Sequence, residues 1–562
     1  MGADHKNRMD TNKMKRPVWT TFPVCLAVSI LLTVIPFAVT GIYYLFGDDY
    51  LMNYIANGSF GPDSSHLVFI SYPVGLLLKG CYAVLPDVNW YAALLGAVFA
   101  VSFAVIHYSI QRTTTHPLPL IVSLAANAAA VPLFLTFTVA AFIAIGAGLA
   151  SAYAALRKSA SFKGLIPGVL MILAGYLIRS DCLIPAIGIA FPAYAFLLTD
   201  RERRRMLISR AAAGCAVLMV LVGASVLVEK AAYSSEAWQS YRDFNEARSS
   251  VLDYPPVAYD SFADEFQSAG YSRNAYVLMS RWTFAEKQVF TPGRMRAVSA
   301  IMHSAYTPSY RFRYMTGNLK TMPGPMILLI PLLLLAVLML TDRSYRKVPG
   351  VLTVLMFYAV IVALCVIRLR YLLRVSCPLC FIAVVFVSLL CEKMPSAKQQ
   401  RLILAGGTVL MLCAMFLFGR SYTAQVAPLR DARTAASYKK LRKEIDKHPD
   451  RTYVVESPIY VWLFIYGHTV DEIKPSDTFS HVIRAGSWDN FSPRYYKIAN
   501  DRNIRDPDNL LSSLMDADHL YLVTENTDFV TNFLTAEYGT PCAVLSEKKK
   551  DPATIAKIGR VS

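Results

Sequence analysis

No glycine-rich nucleotide loop of the GxGxxG or GxxxxGK[ST] form occurs in the 562 residues, and no HExxH metal-protease motif. Soluble dinucleotide, NTP and zinc-peptidase chemistry therefore lack the residues they need. No histidine lies near a cysteine at metal-ligand spacing, no internal repeat is visible, and most of the ten cysteines fall inside apolar runs. That distribution argues against both a disulfide framework and a zinc knuckle. Charge is scarce as well. Only 17% of residues are charged, against about 25% in soluble globules.

What is abundant is apolar residues, at 55% of the chain with a mean hydropathy of +0.38. Several runs reach the length needed to cross a hydrocarbon layer of roughly 30 Å. The net charge of +17 falls mostly in short gaps between those runs, as membrane topology requires, so nucleic acid is excluded as a partner and a lipid bilayer is implied. Cys377-Pro-Leu-Cys380 has the CxxC form of a redox motif but sits in an apolar run, where packing is the simpler role.

The pattern predicts a polytopic α-helical membrane protein of about eleven spans. Residues 1–17 form a basic tail, 18–419 the transmembrane domain and 420–562 a C-terminal α/β domain. The first span is 18–46. Later spans are expected near 91–110, 117–135, 139–156, 164–178, 182–198, 211–228, 323–340, 348–367, 371–391 and 402–418. Residues 67–85, with Lys79 central and Pro73 early, read as a segment lying at the membrane surface. In that register the inner gaps hold twenty Lys and Arg against six acids, while the gap 47–66 holds three Asp and no base. The positive-inside bias therefore places the amino end inside, the carboxyl end outside, and Arg201–Arg205 inside. Two larger polar parts face outward. The loop 229–321 is long enough to fold. In 420–562, helices at 435–448, 507–515 and 528–537 alternate with strands at 452–455, 520–524 and 543–545.

The chemistry-bearing residues gather at the predicted outer face. Asp48 and Asp49 follow the first span, and partial desolvation there would raise the basicity of a carboxylate. The simpler role is capping a helix that begins at Tyr50, for which Asp48 is the better placed. His66 could position a ligand, although a lone histidine is more often structural. Arg368, Arg370 and Arg374 stand on the side where basic residues are under-represented, with Arg370 and Arg374 on one helical face. Guanidinium groups bind phosphate bidentately, and they also snorkel to lipid headgroups. Arg179 and Asp181 read as an ion pair. Trp488 lies in GSWDNFSPRYY (486–496), an aromatic loop of the kind that stacks on sugars.

An acidic pair after the first span, then a loop helix, His66 and an apolar segment before the second span: this order resembles the polytopic GT-C glycosyltransferases. Protein mannosyltransferases and lipid A aminoarabinose transferases belong to that group. The superfamily's His-Pro-Pro type element is reduced here to His66, followed by Leu67-Val68. The resemblance covers roughly residues 18–420. It implies a cell-membrane enzyme of the bacterial type, with Asp49 or Asp48 as base and a polyprenyl-phosphate-linked sugar as donor. The acceptor would be an envelope glycan, lipid or protein, and the basic residues would hold the donor phosphate. No cofactor is implied with certainty, and a divalent metal stays open. Two other classes stand beside it: a transporter or flippase of lipid-linked glycans, and a non-catalytic membrane scaffold.

Overall fold

The computed structural model describes residues 21–40, 43–114, 117–158, 162–321, 348–390, 405, 431–467 and 480–561. The basic tail, the expected span 323–340 and, apart from residue 405, the expected span 402–418 lie outside the described residues.

The apolar runs form helices α1 (Phe22–Thr40), α4 (Trp90–Thr113), α5 (Pro117–Phe134), α6 (Phe137–Lys158), α7 (Phe162–Ile178), α8 (Leu183–Leu197) and α9 (Arg204–Ala232). Between α1 and α4 lie two shorter ones, α2 (Gly47–Asn57) and α3 (Tyr72–Val84). At 13 residues α3 would be only about 20 Å long, too short to cross. Lys79 on it pairs with Asp63 at 3.2 Å.

The polar loop folds into α10 (Glu236–Leu252), α11 (Ala263–Ser268), α12 (Arg273–Ser280), α13 (Pro292–Ala305) and α14 (Pro308–Thr321). Two apolar helices follow, α15 (Val348–Ile367) and α16 (Leu373–Leu390). Among the described residues, six helices are long and apolar enough to cross a membrane, and three shorter apolar helices accompany them. The chain is therefore a helical membrane protein.

Which helices face lipid follows from burial. α6 and α16 are enclosed along most of their length, whereas α9 exposes Met219, Val220 and Leu227, and α8 exposes Ile184 at 81%. Water would not tolerate such a surface, but a bilayer would. Gly148 and Gly168 let α6 and α7 touch backbone to backbone. A Cβ at Gly168 would lie 2.7 Å from the Gly148 carbonyl oxygen, the small-residue contact that membrane helices use.

The C-terminal part contains α17 (Ala432–Asp446), β1 (Thr452–Val455), α18 (Ser457–Gly467), β2 (Val482–Arg484), α19 (Pro493–Asp501), β3 (Leu520–Thr524), α20 (Thr527–Tyr538), β4 (Cys542–Lys550) and β5 (Ala553–Arg560). Its sheet has the order β2-β1-β3-β5-β4. β1 runs parallel to β2 and β3, and β5 runs antiparallel to β3 and β4. The sequence pattern had suggested a helix over 507–515. The structure instead makes turns there and a 3-10 turn at Ser512–Met515, because Glu286 takes up the backbone N–H groups of Leu511 and Ser512.

That contact belongs to a wider joint. Phe284 and Ala285 donate their N–H groups to the Ala485 carbonyl, and Leu510 N–H donates to Ala285. The loop 229–321 and the C-terminal part are thus stitched into one polar layer.

Candidate functional site

α2 carries the acidic pair. The helix begins at Gly47, with Phe46 in extended backbone before it and no side-chain cap. Asp48 and Asp49 therefore sit inside the first turn, where carboxylates favour the positive end of the helix dipole. Neither caps a helix starting at Tyr50, which corrects the capping expectation. At the other end Gly58 takes a left-handed φ of 76° and stops the helix, as the Asn57-Gly58 pair suggests.

The two aspartates have opposite surroundings. Asp49 is fully buried. Its Oδ1 accepts from the Tyr91 hydroxyl at 2.8 Å and from the Phe137 N–H at 2.9 Å, while Oδ2 has no hydrogen-bond partner. Burial is the main reason its pKa is pushed up to about 7, against the lowering effect of the Phe137 and Tyr91 bonds. Asp48 is partly exposed and pairs with Arg374 at 3.3 Å, a residue 326 positions away. The Arg374 guanidinium also lies over the Phe46 ring, 4.6 Å from its centre.

The other predicted residues fall elsewhere. Arg370 turns from α2 and grips Asp253, donating to its carbonyl at 3.1 Å and to Oδ2 at 3.2 Å. Asp253 also pairs with the buried Arg248. Arg368 is exposed. His66 is half-buried, stacked on Trp238 at 4.4 Å, with Nε2 3.0 Å from the Ala232 carbonyl at the end of α9. Burial lowers its pKa. Trp488 is buried, met edge-on by Phe69 at 5.0 Å, and its carbonyl accepts from the Tyr241 hydroxyl at 2.7 Å. The segment 486–496 is thus core rather than an open loop.

One residue gains standing. Arg179, read from sequence as half of an ion pair, does contact Asp181, at 3.7 Å. It also donates to the Thr138 hydroxyl at 2.9 Å and covers the Phe137 ring at 4.9 Å. Phe137 is the residue whose N–H holds Asp49, so Arg179 abuts the backbone that frames the acid. Nothing in its sequence neighbourhood signals this, because the link runs through α6. Among the described residues no group of three or more His, Cys, Asp or Glu is placed to hold a metal ion.

The polar layer reaches down to the same place. The Phe60 ring, just beyond α2, is met by the guanidinium groups of Arg484 at 4.8 Å and Arg494 at 5.0 Å. Both guanidinium groups share Asp489, and Arg494 Nε donates to the Pro62 carbonyl at 3.0 Å. Gly61 has a φ of +74°, and a Cβ there would lie 2.6 Å from Ile498. Gly61→Ala should combine backbone strain with overpacking, together about 2 kcal/mol or more. The measured result should be a lower unfolding temperature and faster amide exchange across 47–57. Exchange unchanged from wild type would show that this contact does not hold α2.

α9 gives the bundle its polarity. The carbonyl at Ala232 meets His66 and the Glu229 carboxylate accepts from Tyr72 N–H, at the end where α2 lies. Arg203 and Arg204 stand at the opposite end, roughly 43 Å away for 29 helical residues at 1.5 Å each. No known protein family, curated protein or solved structure matches the chain.

Proposed function

We propose that this chain is a membrane glycosyltransferase of GT-C type with eleven spans, its amino end inside and its polar layer outside. It moves a sugar from a polyprenyl-phosphate donor to a glycan, lipid or protein acceptor at the outer face. The observation that carries this reading is the meeting of Asp48 with Arg374 beside a buried carboxylate, Asp49, whose Oδ2 has no hydrogen-bond partner. An acid near neutral pKa and an arginine at one membrane boundary supply the two elements transfer needs, a base and a phosphate anchor.

In this scheme Asp49 takes the proton of the acceptor hydroxyl. The acceptor oxygen bonds to the anomeric carbon, the bond from that carbon to the phosphate oxygen breaks, and the lipid phosphate leaves with the electron pair. Arg374 exchanges Asp48 for the donor phosphate, while Arg179 holds the Thr138–Phe137 edge that frames Asp49. Arg370 is committed to Asp253 and braces the polar layer. Mass spectrometry of surface glycans from a deletion strain, complemented with wild type or Asp49→Asn, tests the reading. Identical glycans in all three strains would refute it.

The arginines separate by role. Arg374→Gln should weaken donor binding ten- to hundredfold, from a charge-assisted contact worth about 1.5–3 kcal/mol at about 1.4 kcal/mol per decade. Arg370→Gln should lower the unfolding temperature and leave donor affinity near wild type. Donor titrations at fixed acceptor check this, and overlapping curves for Arg374→Gln and wild type would remove Arg374 from the site.

A second reading, a transporter of lipid-linked glycans, has one observation in its favour. Within the bundle Ser29 Oγ lies 3.1 Å from His107 Nδ1, and Thr33 donates to Asn127 at 3.4 Å. Buried polar side chains inside spans mark substrate paths in transporters. Movement of a lipid-linked glycan across proteoliposomes without any acceptor would favour that reading.

A further inference from the structure

We infer that the basic end of the bundle, opposite the acidic pair, binds the phosphate-bearing headgroup of an anionic phospholipid between α6, α8, α9 and α16. A cavity of about 240 Å³ opens there, and Leu156, Leu207 and Leu390 form its apolar wall. Arg157, Arg203, Thr199 and Asp200 stand around the same space.

The cations are fixed before any ligand arrives. Arg203 donates from Nη1 to the Arg157 carbonyl at 2.9 Å and from Nη2 to the Leu156 carbonyl at 3.0 Å. Arg157 donates from Nη1 to the Leu389 carbonyl at 2.8 Å. These carbonyls end α6 and α16, so the two guanidinium groups tie helix ends together. A guanidinium carries five N–H donors, and the two carbonyl bonds of Arg203 leave others of its own for a ligand oxygen. Asp200 contributes one negative charge, and its Oδ1 accepts from the Arg203 backbone N–H at 3.3 Å. Glu202 adds a second acid, but Arg201, Arg204, Arg205 and Lys158 lie nearby in sequence, so the local balance stays positive.

The apolar half of the site decides the source of the phosphate. A free anion gains nothing from a leucine wall, whereas a phospholipid meets a membrane protein where charge gives way to hydrocarbon. α9 leaves the cavity with Ile208, Met219, Val220 and Leu227 exposed along its length, a surface on which acyl chains can lie. Basic pockets between membrane helices bind anionic headgroups by this combination. The bound lipid would join four helices that the arginines already brace. This inference needs the membrane placement only and is independent of the transferase reading.

The test uses the full chain in neutral detergent, stripped of lipid. Phosphatidylglycerol, phosphatidylcholine with the same acyl chains, and inorganic phosphate are added separately. Native mass spectrometry and thermal unfolding are then read. One retained phosphatidylglycerol per chain and a raised unfolding temperature are expected, with neither effect from phosphatidylcholine. Arg203→Gln should weaken retention about tenfold or more, and Arg203→Lys should restore part of it. Since Arg203 also braces α6, Thr199→Trp provides a second variant. It narrows the mouth and leaves both arginines, and should lose lipid retention with an unchanged lipid-free unfolding temperature. Equal retention of the two lipids overturns the proposal, as does full retention in both Arg203→Gln and Thr199→Trp. If inorganic phosphate alone reproduces the whole thermal shift, the site belongs to a soluble anion and the lipid assignment falls.

Discussion

Asp49→Asn should abolish transfer and at the same time make the folded protein more stable at pH 8. The carboxyl pKa rises from 3.8 to about 7 in the fold, chiefly through burial. Between those values the folded protein holds a proton that the unfolded chain has released. Stability from this group is therefore fully present below pH 3.8 and is lost as pH rises through about 7. Some three pKa units correspond to an upper bound on the order of 4 kcal/mol. Asn carries no charge to desolvate, and its Oδ1 can still accept from the Tyr91 hydroxyl and the Phe137 N–H. The gain should appear at pH 8 and vanish toward pH 4, read as unfolding temperature in detergent. Wild-type activity should climb about tenfold per pH unit below 7 as the base ionises. Equal unfolding temperatures at pH 8 would remove the burial account, and a fully active Asn variant would remove the base.

Glu286→Ala should be among the most damaging single changes in the polar layer, at about 3–5 kcal/mol. The carboxylate is fully buried. Its Oε2 accepts from the Leu511 and Ser512 N–H groups, both at 3.0 Å, and its Oε1 from the Ser512 hydroxyl at 2.9 Å and from the Tyr538 hydroxyl. Alanine strands two backbone donors in a closed space. Glutamine should cost only about 1–2 kcal/mol, because its carbonyl can face the two N–H groups while its amide donates to the hydroxyls. The ratio of the two losses, measured by denaturant unfolding, is the check. Equal losses for Ala and Gln would mean that charge, not donor satisfaction, holds the joint.

Long apolar runs made the membrane helices legible, since length and lack of charge suffice to recognise a span. The strands Thr452–Val455 and Leu520–Thr524 announced themselves through short β-branched and aromatic runs between turn residues. Other features depend on distant partners. β5 and β2 are not legible in the sequence because their pairing neighbours, not their own residues, make them strands. The start of α2 was misplaced because Gly47 is a poor helix former, yet here it packs against Val461 in the C-terminal part. At the candidate site, two adjacent aspartates were visible, but not which one would be sealed. That is decided by Tyr91 and Phe137. Likewise Arg370 and Arg374 share a helical face by spacing, but the chain turns between them. Residues 370–372 are not helical and the helix starts only at Leu373, so the two reach different acids.

The clasp around Phe60 sets an order of events during synthesis. Arg494 meets the Pro62 carbonyl across 432 residues of sequence, and at about 5–20 residues per second that interval lasts roughly 20–90 s. The acidic helix leaves the ribosome that long before the side chains that grip the loop beyond it. A nascent chain therefore inserts its first spans long before this corner can close. Termination between Leu390 and Arg484 yields a protein that keeps its described membrane helices but is still unlatched.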